Sequence, residues 1–212
     1  MRELILLRHA HAEAAADGLA DMDRPLSAVG QAEAEAAGRW LRDNHLLPDR
    51  VICSPARRTR ETLEAVLAQT GYVEQRLEPR IYEAMPGSLV SLIEQHAEVQ
   101  RLLLVGHNPG LEQLVALLNS GSSSEYRGMP PAGIAVLSLP AQAALEPGVA
   151  TLTSGGHKPC GVGAGWRCWR CWPVPAPRRS RRSGLPGRRR RWPSIPSAAF
   201  LALRSVPVTG SG

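Results

Sequence analysis

Glu3-Leu-Ile-Leu-Leu-Arg-His9 is a short apolar run that ends on a guanidinium and an imidazole, and its reading decides the fold. Four consecutive apolar residues are too few for a buried helix but suit a strand covered on both faces. The same signal returns at Arg50-Val-Ile-Cys53, Arg101-Leu-Leu-Leu-Val105 and Gly133-Ile-Ala-Val-Leu-Ser-Leu139, with a fifth strand at 148–153. Helical patterns lie between them. Ser27 caps a helix through about Asn44, with Val29, Ala32, Ala36, Trp40 and Leu41 near helical spacing. Thr59 to Gln69 forms a second helix stopped by Gly71, Ser88 to His96 a third, and Leu111 to Leu118 a fourth. Strands alternating with helices predict an α/β three-layer sandwich, its central sheet mainly parallel and flanked by helices.

Composition divides the chain in two. Of 212 residues, 43% are hydrophobic, which excludes a wholly disordered chain. Residues 1–153 hold 13 Arg and all 19 acidic residues, a net of −6; residues 154–212 hold 11 Arg and Lys158 without an acid, a net of +12. The first piece is the expected globular domain, and the second is an Arg/Pro/Gly/Trp-rich tail expected to be disordered. A single cysteine, Cys53, in residues 1–153 cannot build a disulfide framework. No run of 18 apolar residues is present, and the four-residue run near the start is too short for a signal peptide. A cytoplasmic protein with no membrane partner is expected.

In an open α/β sheet, ligands gather at the carboxyl ends of strands. Arg8 and His9 follow the first strand, Ser54, Arg57 and Arg58 the second, and Gly106, His107 and Asn108 the third. Two histidines and at least one arginine therefore converge on one edge. Imidazole is a nucleophile or proton donor, and guanidinium is a bidentate oxyanion clamp, so the pattern points to an anion pocket for phosphoryl transfer.

These blocks resemble the histidine phosphatase superfamily, the phosphoglycerate-mutase-like fold. The matching residues are Leu7-Arg8-His9, Leu26-Ser27-x-x-Gly30, Ser54-Pro55-x-x-Arg58 with Thr62, Tyr82-Glu83, and Val105-Gly106-His107-Asn108-Pro109-Gly110, in the family's order. A compact core, the Asp23-Arg24-Pro25-Leu26-Ser27 run and Ala10 after Arg-His make it similar to the short, bacterial SixA-like phosphohistidine phosphatases. The resemblance implies that His9 attacks phosphorus and becomes a transient phosphohistidine. It implies that Arg8, Arg58 and His107 bind the phosphoryl oxygens, that Glu83 stands at the proton-donor position, and that neither metal nor cofactor is needed. Asp21 and Asp23 are the alternative acids.

Other residues read as structural. His11, His45 and His96 read as surface or structural histidines, Cys53 and Tyr82 as packing, Arg57 and Arg60 as solvated or ion-paired, and Ser54 as a helix cap ahead of Pro55. In the tail, Cys168-x-x-Cys171 with His157 and Cys160 has no familiar zinc spacing, and the arginine clusters with Trp166, Trp169, Trp172 and Trp192 suit non-specific polyanion binding. The acid-free, Arg-rich composition from residue 154 is that of GC-rich DNA read in a wrong frame, so a frameshift product is one reading of it. The expected function is a metal-independent phosphohistidine phosphatase acting on a phosphorylated protein, such as a phosphotransfer domain, and working as a monomer. The alternatives are a phosphomonoesterase for a small molecule or phosphoserine/threonine, and a non-catalytic phosphate-binding module.

Overall fold

The computed structural model describes residues 2–125, 128–141 and 144–155. Six strands, β1 (Arg2–Arg8), β2 (Arg50–Cys53), β3 (Glu74–Leu77), β4 (Arg101–Gly106), β5 (Ile134–Leu139) and β6 (Thr151–Gly155), form one sheet in the order β3-β2-β4-β1-β5-β6. The β3-β2, β2-β4 and β4-β1 pairs are parallel, and β1-β5 and β5-β6 are antiparallel. The helices are α1 (Ala28–Asp43), α2 (Arg57–Thr70), α3 (Pro86–Glu94) and α4 (Gly110–Ser120).

The continuous apolar runs are explained by burial on both faces of the sheet. In β1, Leu4 and Leu6 join the core under α3 and α4, with Leu92, Leu114 and Leu118. Their neighbours Ile5 and Leu7 join the opposite core under α1 and α2, with Leu41, Leu63 and Val66. The three-layer α/β sandwich with a mainly parallel sheet is thus the architecture present.

The sequence reading differs from the structure in detail. β3 carries no apolar periodicity in the sequence: Glu74-Gln-Arg-Leu77 is polar but for Leu77, exposed along its length and at the sheet edge. α2 starts at Arg57 and its N-cap, Ala56, makes no side-chain cap, so Ser54 is not the cap residue. α3 starts at Pro86, which occupies the first turn. β6 extends through Gly155, two residues past the expected boundary at 153. The zinc, polyanion and frameshift readings of the tail lie outside the described residues.

Candidate active site

The site lies where β1, β2 and β4 end. β1 is paired with β4 in a register that sets Arg8 opposite Gly106, so the next residues, His9 and His107, leave adjacent strands at one level. The His9 N–H donates to the Gly106 carbonyl at 3.0 Å, and the two imidazole centroids stand 5.2 Å apart.

Several motif residues serve that junction. Thr62 Oγ1 accepts from the Ala10 N–H (3.0 Å) and donates to the Arg58 carbonyl (2.6 Å), so α2 fixes the backbone beside His9. Ser27 caps α1 by accepting from the Gly30 N–H at 3.1 Å. A Cβ on Gly30 would lie 1.9 Å from the His11 carbonyl oxygen, and one on Gly110 would lie 2.3 Å from that of Ala84. Only glycine admits these backbone approaches, which bring the 11–26 loop and the 81–84 turn onto the strand ends.

His9 is held in one tautomer. Its Nδ1 is 2.8 Å from the Ala10 carbonyl oxygen, which can only accept. The proton of the neutral ring is therefore on Nδ1 and Nε2 carries a bare lone pair. Burial lowers the pKa of His9 to about 4; the Ala10 bond opposes this, while Arg58, Arg8 and Arg24 add to it. The ring is neutral at physiological pH.

Arg58, only 6% exposed, projects from the first turn of α2. It donates through Nη1 to the Asp21 carbonyl (2.6 Å), and through Nη2 to Asp21 Oδ2 (2.9 Å) and His107 Nδ1 (3.4 Å). Asp21 also accepts from Tyr82 Oη (2.7 Å) and Arg24 Nη1 (2.8 Å). Tyr82 and these cations hold the Asp21 carboxyl far below the usual carboxylate range. In the empty site Asp21 thus serves as the acceptor that holds Arg24, Arg58 and Tyr82. The Tyr82 ring meets His107 edge-on at 5.4 Å between centroids. Tyr82 therefore faces the site rather than merely packing, a role its sequence neighbourhood does not reveal.

Arg8 donates through Nη1 to the Met129 carbonyl at 2.6 Å. Asn108 Nδ2 donates to that carbonyl (3.0 Å) and to Glu112 Oε2 (2.7 Å), which also accepts from the Met129 N–H (3.1 Å). Glu112, in the first turn of α4, thus anchors the strap that holds Arg8. This residue was not singled out in the sequence, and only its spacing of four from Asn108 on a helix start could have signalled it.

His107 Nε2 is hydrogen-bonded to Ser54 Oγ at 2.8 Å; burial, with His9 and Arg58, lowers its pKa to about 3. Glu83 follows Tyr82, is exposed, and has a backbone φ of +53°, unusual for a residue with a Cβ. Arg57 is ion-paired with Glu61 at 2.7 Å, and the Cys53 thiol is buried with its pKa pushed up to about 12. Among the described residues, no group of three or more His, Cys, Asp or Glu is placed to hold a metal, and no helix is long and apolar enough to cross a membrane.

The arrangement is a bare imidazole nitrogen set among the cations Arg8, Arg58 and Arg24. Known proteins resemble the chain in sequence and fold. A family model for the histidine phosphatase superfamily (branch 1) matches residues 4–101. An uncharacterised protein of Mycobacterium tuberculosis is 40% identical over 163 residues, covering 72% of this chain and 99% of that protein. Two solved structures assigned as the phosphohistidine phosphatase SixA are also similar. The one from Agrobacterium tumefaciens is 31% identical with a TM-score of 0.63, covering 73% of this chain and 96% of its own. The one from Nakamurella multipartitia is 32% identical with a TM-score of 0.65, covering 74% and 96%. Sequence and structure agree: this chain belongs to the histidine phosphatase superfamily, in its SixA-like branch.

Proposed function

We propose that the protein removes phosphate from phosphohistidine carried on another protein, by way of a covalent phosphohistidine on His9. The observation that carries this reading is the His9 tautomer: Nδ1–H is committed to Ala10, and the free Nε2 lone pair sits among arginines. Nε2 attacks phosphorus in line as the P–N bond to the substrate imidazole breaks, and that bond's electron pair leaves with the substrate nitrogen. Arg8, Arg58 and His107 hold the phosphoryl oxygens and stabilise the charge that spreads over them. Water then attacks phosphorus, the His9–P bond breaks, and inorganic phosphate departs.

The connections that deliver Arg58 and His107 are short, residues 54–56 and 107–109, and form no lid of their own. The likeness to structures bearing the name of the phosphohistidine phosphatase SixA supports the protein substrate. Glu83 supports a second reading. Its exposed carboxylate beside Tyr82 sits on a backbone strained by about 1–2 kcal/mol, and strain of this kind clusters at functional positions. A carboxylic acid there would protonate an alkoxide leaving group, so the alternative is a phosphomonoesterase.

The test is dephosphorylation of a phosphohistidine-bearing phosphotransfer protein beside a small phosphomonoester, with wild type and His9→Ala. Selective loss of phosphohistidine turnover in the variant is expected. Turnover of the ester alone, abolished by Glu83→Gln, would move the reading to the alternative.

A further inference from the structure

His107 has two ring nitrogens, and both are engaged. Arg58 has only N–H donors, so His107 Nδ1, 3.4 Å from Nη2, is the acceptor. The proton of the neutral ring is consequently on Nε2, which donates to Ser54 Oγ. Ser54 is fully buried at the end of β2, so Nε2 points into the protein and Nδ1 faces the site. An oxyanion that engages Arg58 and His107 meets Nδ1 as a bare lone pair. Two acceptors face to face repel, so the contact requires a proton on Nδ1.

We infer that oxyanion binding at this site is coupled to uptake of one proton by His107, with Ser54 as the positioning residue that directs it. The inference rests on the proposed placement of the oxyanion against Arg58 and His107. As the anion enters, Nδ1 takes a proton from solvent and donates it to an oxygen of the ligand. Nε2–H goes on donating to Ser54 Oγ, in a bond that strengthens when the ring is charged. On release of the anion, the proton returns to solvent. The charged groups facing the ring set its state before an anion arrives. Arg58 from α2, and Arg8 and His9 from the end of β1, oppose a charged ring; Asp21 favours one, and the Tyr82 phenol meets the ring edge-on. In the empty site the ring is accordingly neutral at pH 7. A dianion placed among the same cations reverses the balance.

Tungstate is a suitable probe because it is already fully ionised near neutral pH. Calorimetric titration at pH 7, repeated in buffers of different ionisation enthalpy, counts the protons taken up per tungstate. The expected result is an uptake approaching one, with affinity falling as pH rises and the slope approaching tenfold per pH unit. His9→Gln keeps the uptake, and His107→Gln loses it. Ser54→Ala, which leaves Nε2–H buried without its acceptor, binds tungstate about tenfold less tightly. Nitrogen-15 shifts of the wild-type His107 ring give an independent readout: one protonated and one bare nitrogen when free, both protonated when bound.

Tungstate binding without proton uptake overturns the inference and leaves the phosphatase reading standing. Equal uptake in His107→Gln overturns it as well. Proton-coupled binding in a protein that turns over no phosphohistidine supports the inference while the functional reading fails. Absence of tungstate binding overturns both.

Discussion

Among the described residues, one histidine–arginine contact is buried in the site and another is part-buried at the sheet edge, and they are built for different ends. At the site, Arg58 Nη2 meets His107 Nδ1 at 3.4 Å; below β3, Arg50 Nη1 meets His96 Nδ1 at 3.2 Å. Both imidazoles have lowered pKa values, and burial is the largest cause in each. The difference is in the company. Arg50 is ion-paired to Glu74 (3.0 Å) and Glu98, and Arg76 and Arg80 beside it are paired to Glu74 and Glu78. Each cation at that edge has its own carboxylate. At the site, Arg8, Arg24 and Arg58 surround two histidines, and Asp21 is the carboxylate hydrogen-bonded to both Arg24 and Arg58. Arg8 also feels Glu112 and Glu33, so what sets the site apart is two buried imidazoles among its cations, an environment suited to an anion, whereas the charge pairs around Arg50 cover a sheet edge.

Substitution of the two arginines breaks this comparison most strongly. Arg58→Ala is expected to lower kcat/KM for the phosphorylated substrate by about 100-fold or more, since it removes a preorganised oxyanion donor. Arg50→Ala is expected to leave kcat/KM unchanged and to lower the thermal midpoint by about a few °C. Equal losses of activity would erase the distinction.

The next expected effect is on Asp21. Asp21→Asn keeps the backbone carbonyl that receives Arg58 Nη1 but weakens its hold on Arg24, Arg58 and Tyr82. A fall in kcat/KM of about tenfold is expected. Were Asp21 the proton donor instead, kcat would collapse and the high-pH arm of the rate profile would vanish.

pH sharpens the comparison further. His9 and His107 have folded pKa values of about 4 and about 3, against an ordinary value of 6.5. Between 6.5 and those values the unfolded chain binds more protons than the folded one, so stability falls as pH falls through that window. The denaturation midpoint is expected to be lower at pH 5 than at pH 7, with a smaller decline in His107→Gln. His96, whose pKa is also lowered, adds in the same direction, so a His96→Gln variant separates the edge from the site. The smallest effect is that of Tyr82→Phe, which removes a single hydrogen bond to Asp21 and is expected to lower kcat/KM only a few-fold.

Much of this was legible in the sequence because the strands that carry the site are buried on both faces. Leu4 to Leu7 and Leu102 to Val105 are continuous apolar runs, and each ends on the polar residues of the site. Ser27 announces α1 through its hydroxyl and bonds as expected. β3 stayed hidden because an exposed edge strand of charged residues has no periodic apolar face. Ser54 was read as a cap because Pro55 follows it, yet its hydroxyl is turned to a histidine 53 residues away. The links of Asp21 and Tyr82 to Arg58, and the whole role of Glu112, were hidden for the same reason. Their partners are distant in sequence or spread over several loops, and only the closed sheet brings them together.

The central claim is that His9 carries the phosphoryl group. Rapid acid-free quenching of the protein with a phosphohistidine-bearing substrate, followed by mass spectrometric mapping, tests it directly. A transient phosphate on His9, absent in His9→Ala and lost as turnover completes, is the expected result. Phosphate release without any phosphorylated intermediate, or with the phosphate on His107 instead, would contradict the account.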